Sequence, residues 1–233
     1  MAIIEFRNVS KKYLMGEATI NALHDASFTI NKGELVCILG PSGAGKTTCL
    51  NILGGMDSPT FGDVIVDGVN ISILKGKNII KYRRKDIGFV FQFYNLVSNL
   101  TAIENVELAV QLTKDHLEPK EALKLVGLEN RLNNFPSQLS GGEQQRVAVA
   151  RAIAKHPKVL LCDEPTGALD YKTGKQILAL LQDCARKNNM TVVIVTHNSA
   201  IKDMADKVIH FKNGTVTKIE INKNPTPIEM IEW

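Results

Sequence analysis

The octapeptide Gly40-Pro41-Ser42-Gly43-Ala44-Gly45-Lys46-Thr47 directly follows the apolar run Leu35 to Leu39. It fits the spacing G-x-x-x-x-G-K-[ST] set between a buried strand and a helix. Glycines at these places let backbone N–H groups turn inward around phosphate oxygens, and the helix that follows adds the positive end of its dipole. Gly40 through Thr48 is therefore read as a nucleotide cradle, in which Lys46 reaches the β- and γ-phosphates and the Thr47 hydroxyl ligates Mg²⁺. An ordinary glycine-rich turn explains neither the full match nor its setting. The order strand, tight loop, helix also points to an α/β fold around a buried sheet.

Two further apolar runs, Val159 to Cys162 and Thr191 to Val195, lack alternation, as strands buried on both faces of a parallel sheet do. Loops at the carboxyl ends of such strands gather around one ligand. Val159-Leu160-Leu161-Cys162 ends in Asp163-Glu164. A carboxylate there is costly unless paired, and Mg²⁺ beside Thr47 would pair Asp163. Glu164, one residue on, can face the γ-phosphate and act as general base on a water. The third run ends in Thr196-His197. A lone histidine is usually structural, but the convergence of the three loops assigns His197 a hydrogen bond to the γ-phosphate.

Around this core the pattern changes. Val64-Ile65-Val66-Asp67-Gly68 and His210 to Val216, with Asn213-Gly214, read as hairpins. Together with Ile3 to Phe6 and Ala26 to Ile30 they suggest an antiparallel layer beside the parallel sheet. Thr101 to Gln111, Pro119 to Val126 and Gly142 to Lys155 read as helices, the second with Pro at its first position and Gly127 just past its end. These place a helical lobe at about residues 93–156, within a single domain spanning 1–233. The tail, about residues 222–233, is read as disordered by default. Packing through Ile228, Ile231 and Trp233 is the alternative.

Composition narrows the class. With 44% hydrophobic residues and a mean hydropathy of -0.03, disorder, collagen-like repeats and a disulfide scaffold are excluded. No apolar run approaches the roughly 20 residues of a spanning helix, and the N-terminus does not resemble an export signal. Cys37, Cys49, Cys162 and Cys184 show no CxxC spacing, so buried reduced thiols are the plain reading. A net charge of +4 implies no nucleic acid by itself. The dense basic stretch Lys75 to Lys85 reads as a solvated loop and helix face, with nucleic acid or an anionic membrane as alternatives.

Ser140-Gly141-Gly142-Glu143 opens the helix that carries Val147 to Ala154. Its local reading is a capping box, with Ser140 as N-cap and Glu143 reaching back. Capping needs no glycine pair, whereas exposing backbone N–H groups to a ligand favours one. One nucleotide needs only one phosphate loop, so this helix end is assigned to the nucleotide of a second copy, in a head-to-tail dimer with two shared sites.

Leu139-Ser140-Gly141-Gly142-Glu143 resembles the signature motif of ATP-binding cassette (ABC) ATPases, and the motifs follow in family order over roughly residues 3–220. The resemblance implies a P-loop NTPase (RecA-like) parallel-sheet core with an antiparallel β subdomain and an inserted α-helical lobe. It also implies that ATP and Mg²⁺ bind, and that Tyr13 stacks on adenine. Gln92, in Phe89-Val90-Phe91-Gln92, matches the glutamine that contacts Mg²⁺ and the attacking water, and His197 the switch histidine. Gly167-Ala168-Leu169-Asp170 resembles the D-loop that links the two sites, which adds Asp170 to the contacts made across the dimer by Ser140, Gly141, Gly142 and Glu143. Two departures stand out: Glu143 where Gln is commonest, and Asn198 after His197 where Asp is usual.

Arg83-Arg84 before Ile87, Tyr94-Asn95-Leu96, and Pro136-Ser137-Gln138 are similar to the subgroup that serves lipoprotein release, macrolide efflux and antimicrobial-peptide resistance. Its members pair with FtsX-like permeases. The implied assembly is a homodimer at the cytoplasmic, inner face of the cell membrane, driving a separate integral-membrane permease that docks near Phe93 to Leu100. No nucleic acid is expected. The rival expectation, a soluble ABC ATPase acting on nucleic acid or ribosomes, fits a single uninterrupted cassette less well, and a binding-only cassette is disfavoured because every catalytic position is filled.

Overall fold

The computed structural model describes residues 1–233 apart from Glu17, Leu112 and Trp233. The chain opens with two long strands, β1 (Ala2–Met15) and β2 (Ala18–Asn31). The apolar run becomes β3 (Leu35–Leu39), buried at every position, and the phosphate loop leads into α1 (Lys46–Leu53). A short hairpin, β4 (Phe61–Val66) and β5 (Val69–Asn70), precedes α2 (Lys77–Lys85) and β6 (Ile87–Val90). Then come α3 (Ala102–Val110), α4 (Pro119–Leu125) and α5 (Gly141–Ile153). The second half alternates: β7 (Val159–Asp163), α6 (Tyr171–Asn188), β8 (Thr191–Thr196), β9 (Lys207–Lys212) and β10 (Thr215–Ile221).

The strands form two sheets. A four-stranded antiparallel sheet has the order β2-β1-β4-β5, and a six-stranded sheet the order β10-β9-β3-β8-β7-β6, parallel except at the β9–β10 edge. The three apolar runs lie side by side at its centre, with Leu35 opposite Val192 and Val159 opposite Thr191. Successive strand residues point to opposite faces, and the two faces take different covers. Leu35, Cys37, Leu160, Cys162, Val192 and Ile194 pack on the layer formed by α3 to α6. Val36, Ile38, Leu161, Val193 and Ile209 pack on α1 and the antiparallel sheet, including Phe6 and Phe28. Burial on both faces is why these strands carry no polar alternation.

The structure departs from or adds to the sequence reading in three places. The hairpin around Asn213 and Gly214, with φ of 50° and 77°, forms as expected, yet β9 runs parallel to β3 in the main sheet instead of joining the antiparallel layer. Turn chemistry specifies a hairpin but not the sheet it enters; the near-continuous burial of Lys207 to Phe211 carries that information. The second concerns β6, which extends the parallel core beyond the three runs, pairing Ile87 with Val159. Four residues including Gly88 are too short to reveal a strand by pattern. Third, the tail is packed: Ile228 is fully buried and Ile231 nearly so, in the core that includes α6. The Ile228 N–H donates to Gln182 Oε1 at 3.1 Å and Lys175 Nζ to the Ile231 carbonyl at 2.9 Å. Trp233, the third residue expected in that contact, lies outside the described residues.

Other expectations hold. The cations of Lys75 to Lys85 are exposed on and before α2, while Tyr82 turns inward and donates to the Leu53 carbonyl at 2.6 Å. All four cysteines are free and buried. Burial pushes the Cys37 thiol up to about 12 and the Cys184 thiol up to about 11, which keeps them protonated and unreactive. In the helical lobe, Asn105 is fully buried and ties down the preceding loop: it accepts from Val97 N–H and donates to the carbonyls of Val97, Leu100 and Thr101.

Candidate nucleotide site

The phosphate loop and the carboxyl ends of β6, β7 and β8 surround one cavity of about 730 Å³. Pro41 to Thr48, Gln92, Asp163, Glu164 and His197 line it, so the residues expected at one ligand from separate parts of the chain do meet. Positive φ at Gly43 (76°) and Gly45 (94°) curls the loop, and a Cβ at Gly45 would run into the Ala22 carbonyl. Lys46, at the start of α1, is buried, and its ammonium donates to the Gly40 and Pro41 carbonyls at 2.8 and 2.9 Å. A cation held across a curled glycine-rich loop is suited to polyphosphate.

Thr47 Oγ1 lies 3.4 Å from Asp163 Oδ1. Burial pushes the Asp163 carboxyl above its ordinary range; the bond to Thr47 draws it back, the neighbouring Glu164 charge raises it further, and Lys46 opposes. A partly desolvated carboxylate beside a hydroxyl is a hard-oxygen pair that fits Mg²⁺, which is bound through one or two protein oxygens together with substrate phosphates.

Glu164 adopts φ 46°, a left-handed conformation uncommon for a non-glycine residue. It is held there by its N–H on the Val195 carbonyl at 2.9 Å and by its side chain. Oε2 accepts from Thr196 Oγ1 at 3.0 Å; Oε1 accepts from the His197 N–H at 3.0 Å and meets His197 Nδ1 at 2.7 Å. The strand-end acid and the strand-end histidine therefore form a dyad across β7 and β8. Backbone strain over-determined in this way belongs to functional sites.

Tyr13 does not line the cavity. Its hydroxyl donates to Asp57 Oδ2 at 2.7 Å, although its cross-strand partner Ile20 does line it, as do Asn21 and Ala22. Those three β2 residues and Thr196 went unnoticed in the sequence, where nothing sets them apart from ordinary strand residues. Gln145 was missed too. It is fully buried in α5, and its amide donates to the Phe91 carbonyl at 3.3 Å and the Pro165 carbonyl at 2.9 Å. It thus bolts α5 to the segments that carry Gln92 and Glu164. A polar residue on the apolar face of a helix was the available signal.

Ser140 to Glu143 stand apart from the cavity, at the start of α5. The capping box forms: Ser140 Oγ accepts from Glu143 N–H at 3.2 Å and Glu143 Oε2 accepts from Ser140 N–H at 2.9 Å. The glycine pair has a packing reason beyond ligand access, since a Cβ on Gly142 would strike the Thr173 side chain of α6. Asp170 is the N-cap of α6, accepting from Thr173 N–H at 3.1 Å. Asn198 caps the turn 199–204 by accepting from Ala200 N–H at 3.0 Å, a task its amide oxygen performs as a carboxylate would.

A parallel sheet whose strand ends deliver a phosphate loop, two adjacent acids and a histidine to one cavity defines a P-loop nucleoside triphosphatase. The family is shown by sequence. The ABC transporter model matches residues 23–167, and the chain belongs to that family as an ATP-binding, ABC-type ATPase. An uncharacterized ABC transporter ATP-binding protein of Methanocaldococcus jannaschii is 45% identical over 227 residues, covering 94% of this chain and 97% of its own. The same archaeal protein, solved as a dimer in a post-hydrolysis state with ADP and Pi, superposes with a TM-score of 0.86 at 43% identity, covering 94% of this chain and 98% of that one. The lipoprotein-releasing system ATP-binding protein LolD of Syntrophotalea carbinolica is 42% identical, covering 93% and 97%. The macrolide export ATP-binding/permease protein MacB of Pectobacterium atrosepticum is 43% identical over 92% of this chain, which spans 34% of that longer protein. The chain thus falls within the group that includes LolD and MacB.

Proposed function

We propose that this ATPase works as a homodimer in which each ATP lies on the phosphate loop of one copy and is closed over by Ser140 to Glu143 and Asp170 of the other. The observation that carries this reading is the separation within one chain: a phosphate site lined by residues 41–48, and a second helix start, with Ser140 exposed, that stands apart from it. The solved archaeal relative is dimeric, which supports it.

In this mechanism Lys46 and the loop N–H groups of Ser42 to Thr47 hold the β- and γ-phosphates. Thr47, Asp163 and Gln92 would hold Mg²⁺, which supplies charge neutralisation on the phosphate oxygens when bound. Glu164 accepts the proton of the attacking water. Thr196 fixes one of its carboxylate oxygens, leaving the other toward the cavity and His197. Donating from Nδ1 to that carboxylate, His197 presents Nε2–H to the γ-phosphate only as the imidazolium. The dyad therefore couples the charge on the histidine to the state of the base. Tyr13, outside the cavity lining but paired across the strands with Ile20, which lines it, is the adenine platform in this reading on the strength of the resemblance.

Closure of the dimer would drive an integral-membrane permease, FtsX-like by the subgroup resemblance, from the inner face of the cell membrane. Among the described residues no helix is long and apolar enough to cross a bilayer. The docking surface in this reading joins the groove lined by Gly54, Met56, Ile80, Arg83, Ile87 and Phe89 with the segment that begins at Phe93, whose ring is exposed. Exposed apolar surface rimmed by cations suits a partner helix.

Mixed dimers test the shared site. With Lys46→Ala on one copy and Ser140→Arg on the other, one site stays intact and retains ATP. With both changes on the same copy, each site is damaged and ATP retention falls below that of the first arrangement. Equal retention in the two arrangements would refute sharing.

A further inference from the structure

The start of α5 carries a carboxylate, Glu143, where the reading above places the phosphates of the partner's ATP. An unpaired anion there would repel the nucleotide. Both Glu143 oxygens are engaged: Oε2 on Ser140 N–H at 2.9 Å and Oε1 on Arg131 Nε at 3.0 Å. The Ser140 N–H, opposed in part by burial, and Arg131 together hold the carboxyl below its usual range, so Glu143 is ionised. Arg131 comes from the loop after α4, twelve residues earlier in the chain. Its side chain is 52% exposed, against 20% for Glu143. Within the guanidinium it is Nε that carries the bond to Glu143.

We propose that Arg131 is a positioning residue for the ATP-closed dimer. It turns Glu143 back onto its own helix cap and cancels its charge, so that the helix start presented to the partner's nucleotide is positive. The inference rests on the shared-site reading. It adds that a residue outside the signature makes a glutamate tolerable within it.

The test uses ATP-driven dimerisation of Glu164→Gln protein, followed by light scattering at low salt, with thermal unfolding of each monomer recorded alongside. Arg131→Ala is expected to raise the dimer Kd about fivefold, since the pair occurs twice per dimer. Arg131→Lys, which keeps the charge, is expected to stay within about twofold. When Glu143→Gln is the reference, the effect of adding Arg131→Ala is expected to shrink below about twofold, because no charge remains to cancel. Added salt should narrow the first difference. An equal loss in both backgrounds would mark Arg131 as merely structural and overturn the proposal, as would no loss at all. Failure of the Glu164→Gln protein itself to dimerise with ATP would instead overturn the shared-site reading beneath it.

Discussion

Among single residues, Asp163 and Gln145 show opposite relations between stability and function. Burial raises the Asp163 carboxyl, so the folded state holds its proton more tightly than the unfolded state does. Stability contributed by this group therefore falls as pH rises from the ordinary aspartate range through its raised value. Asp163→Asn should raise the Tm of the nucleotide-free protein at neutral pH by about 2–4 °C, with the gain shrinking toward acid pH, while hydrolysis is lost. A lower Tm at neutral pH would show that the carboxylate is better accommodated than its burial implies. Gln145→Leu strands the buried Pro165 carbonyl and the half-buried Phe91 carbonyl, at about 1–3 kcal/mol. Urea unfolding measures that loss, and kcat should fall more than KM rises because Gln92 and Glu164 sit on the two segments released. At this scale the sequence was legible where a residue belongs to a chemical motif, as Lys46, Asp163 and Glu164 do. It was silent on Thr196 and gave for Gln145 only a polar residue on an apolar helix face, because their roles depend on what folding brings to them from 32 and 54 residues away.

At the scale of elements, continuous apolar runs located the buried strands correctly because burial on both faces leaves no polar positions. The same logic failed for β6, which is too short, and for the sheet membership of β9, because an Asn-Gly turn is a local signal and sheet order is not. For the tail the sequence left two readings open, disorder as the default for a terminus and packing through its apolar residues; two isoleucines spaced three apart reach the α6 core, which favours the second. Ile228→Ala should cost about 2–4 kcal/mol, as buried isoleucine truncations do, and deletion of residues 222–233 should lower Tm at least as much. If either variant melts with wild type, the tail is not part of the core. Ser140→Ala separates two roles of one residue. Loss of the cap costs about 1 kcal/mol of monomer stability, and the shared-site reading adds a loss of ATP-driven dimerisation beyond what that destabilisation explains.

For the whole molecule, the six-stranded sheet is the frame that fixes the site. Its two faces are covered by unlike layers, helices on one side and the antiparallel sheet with α1 on the other, and its strand ends bring the phosphate loop, the acids and His197 to one cavity. The start of α5 is held away from that cavity by the same frame, bolted to it through Gln145. One chain therefore carries two halves of a site that do not meet within it, and the central claim is that a second copy completes each. The direct measurement is the mass of Glu164→Gln protein in solution with and without ATP and Mg²⁺, by light scattering on a size-exclusion column. The account predicts 25.6 kDa without nucleotide and twice that mass with it, reversed when the nucleotide is removed. A protein that binds ATP yet stays at the monomer mass at every concentration would contradict it.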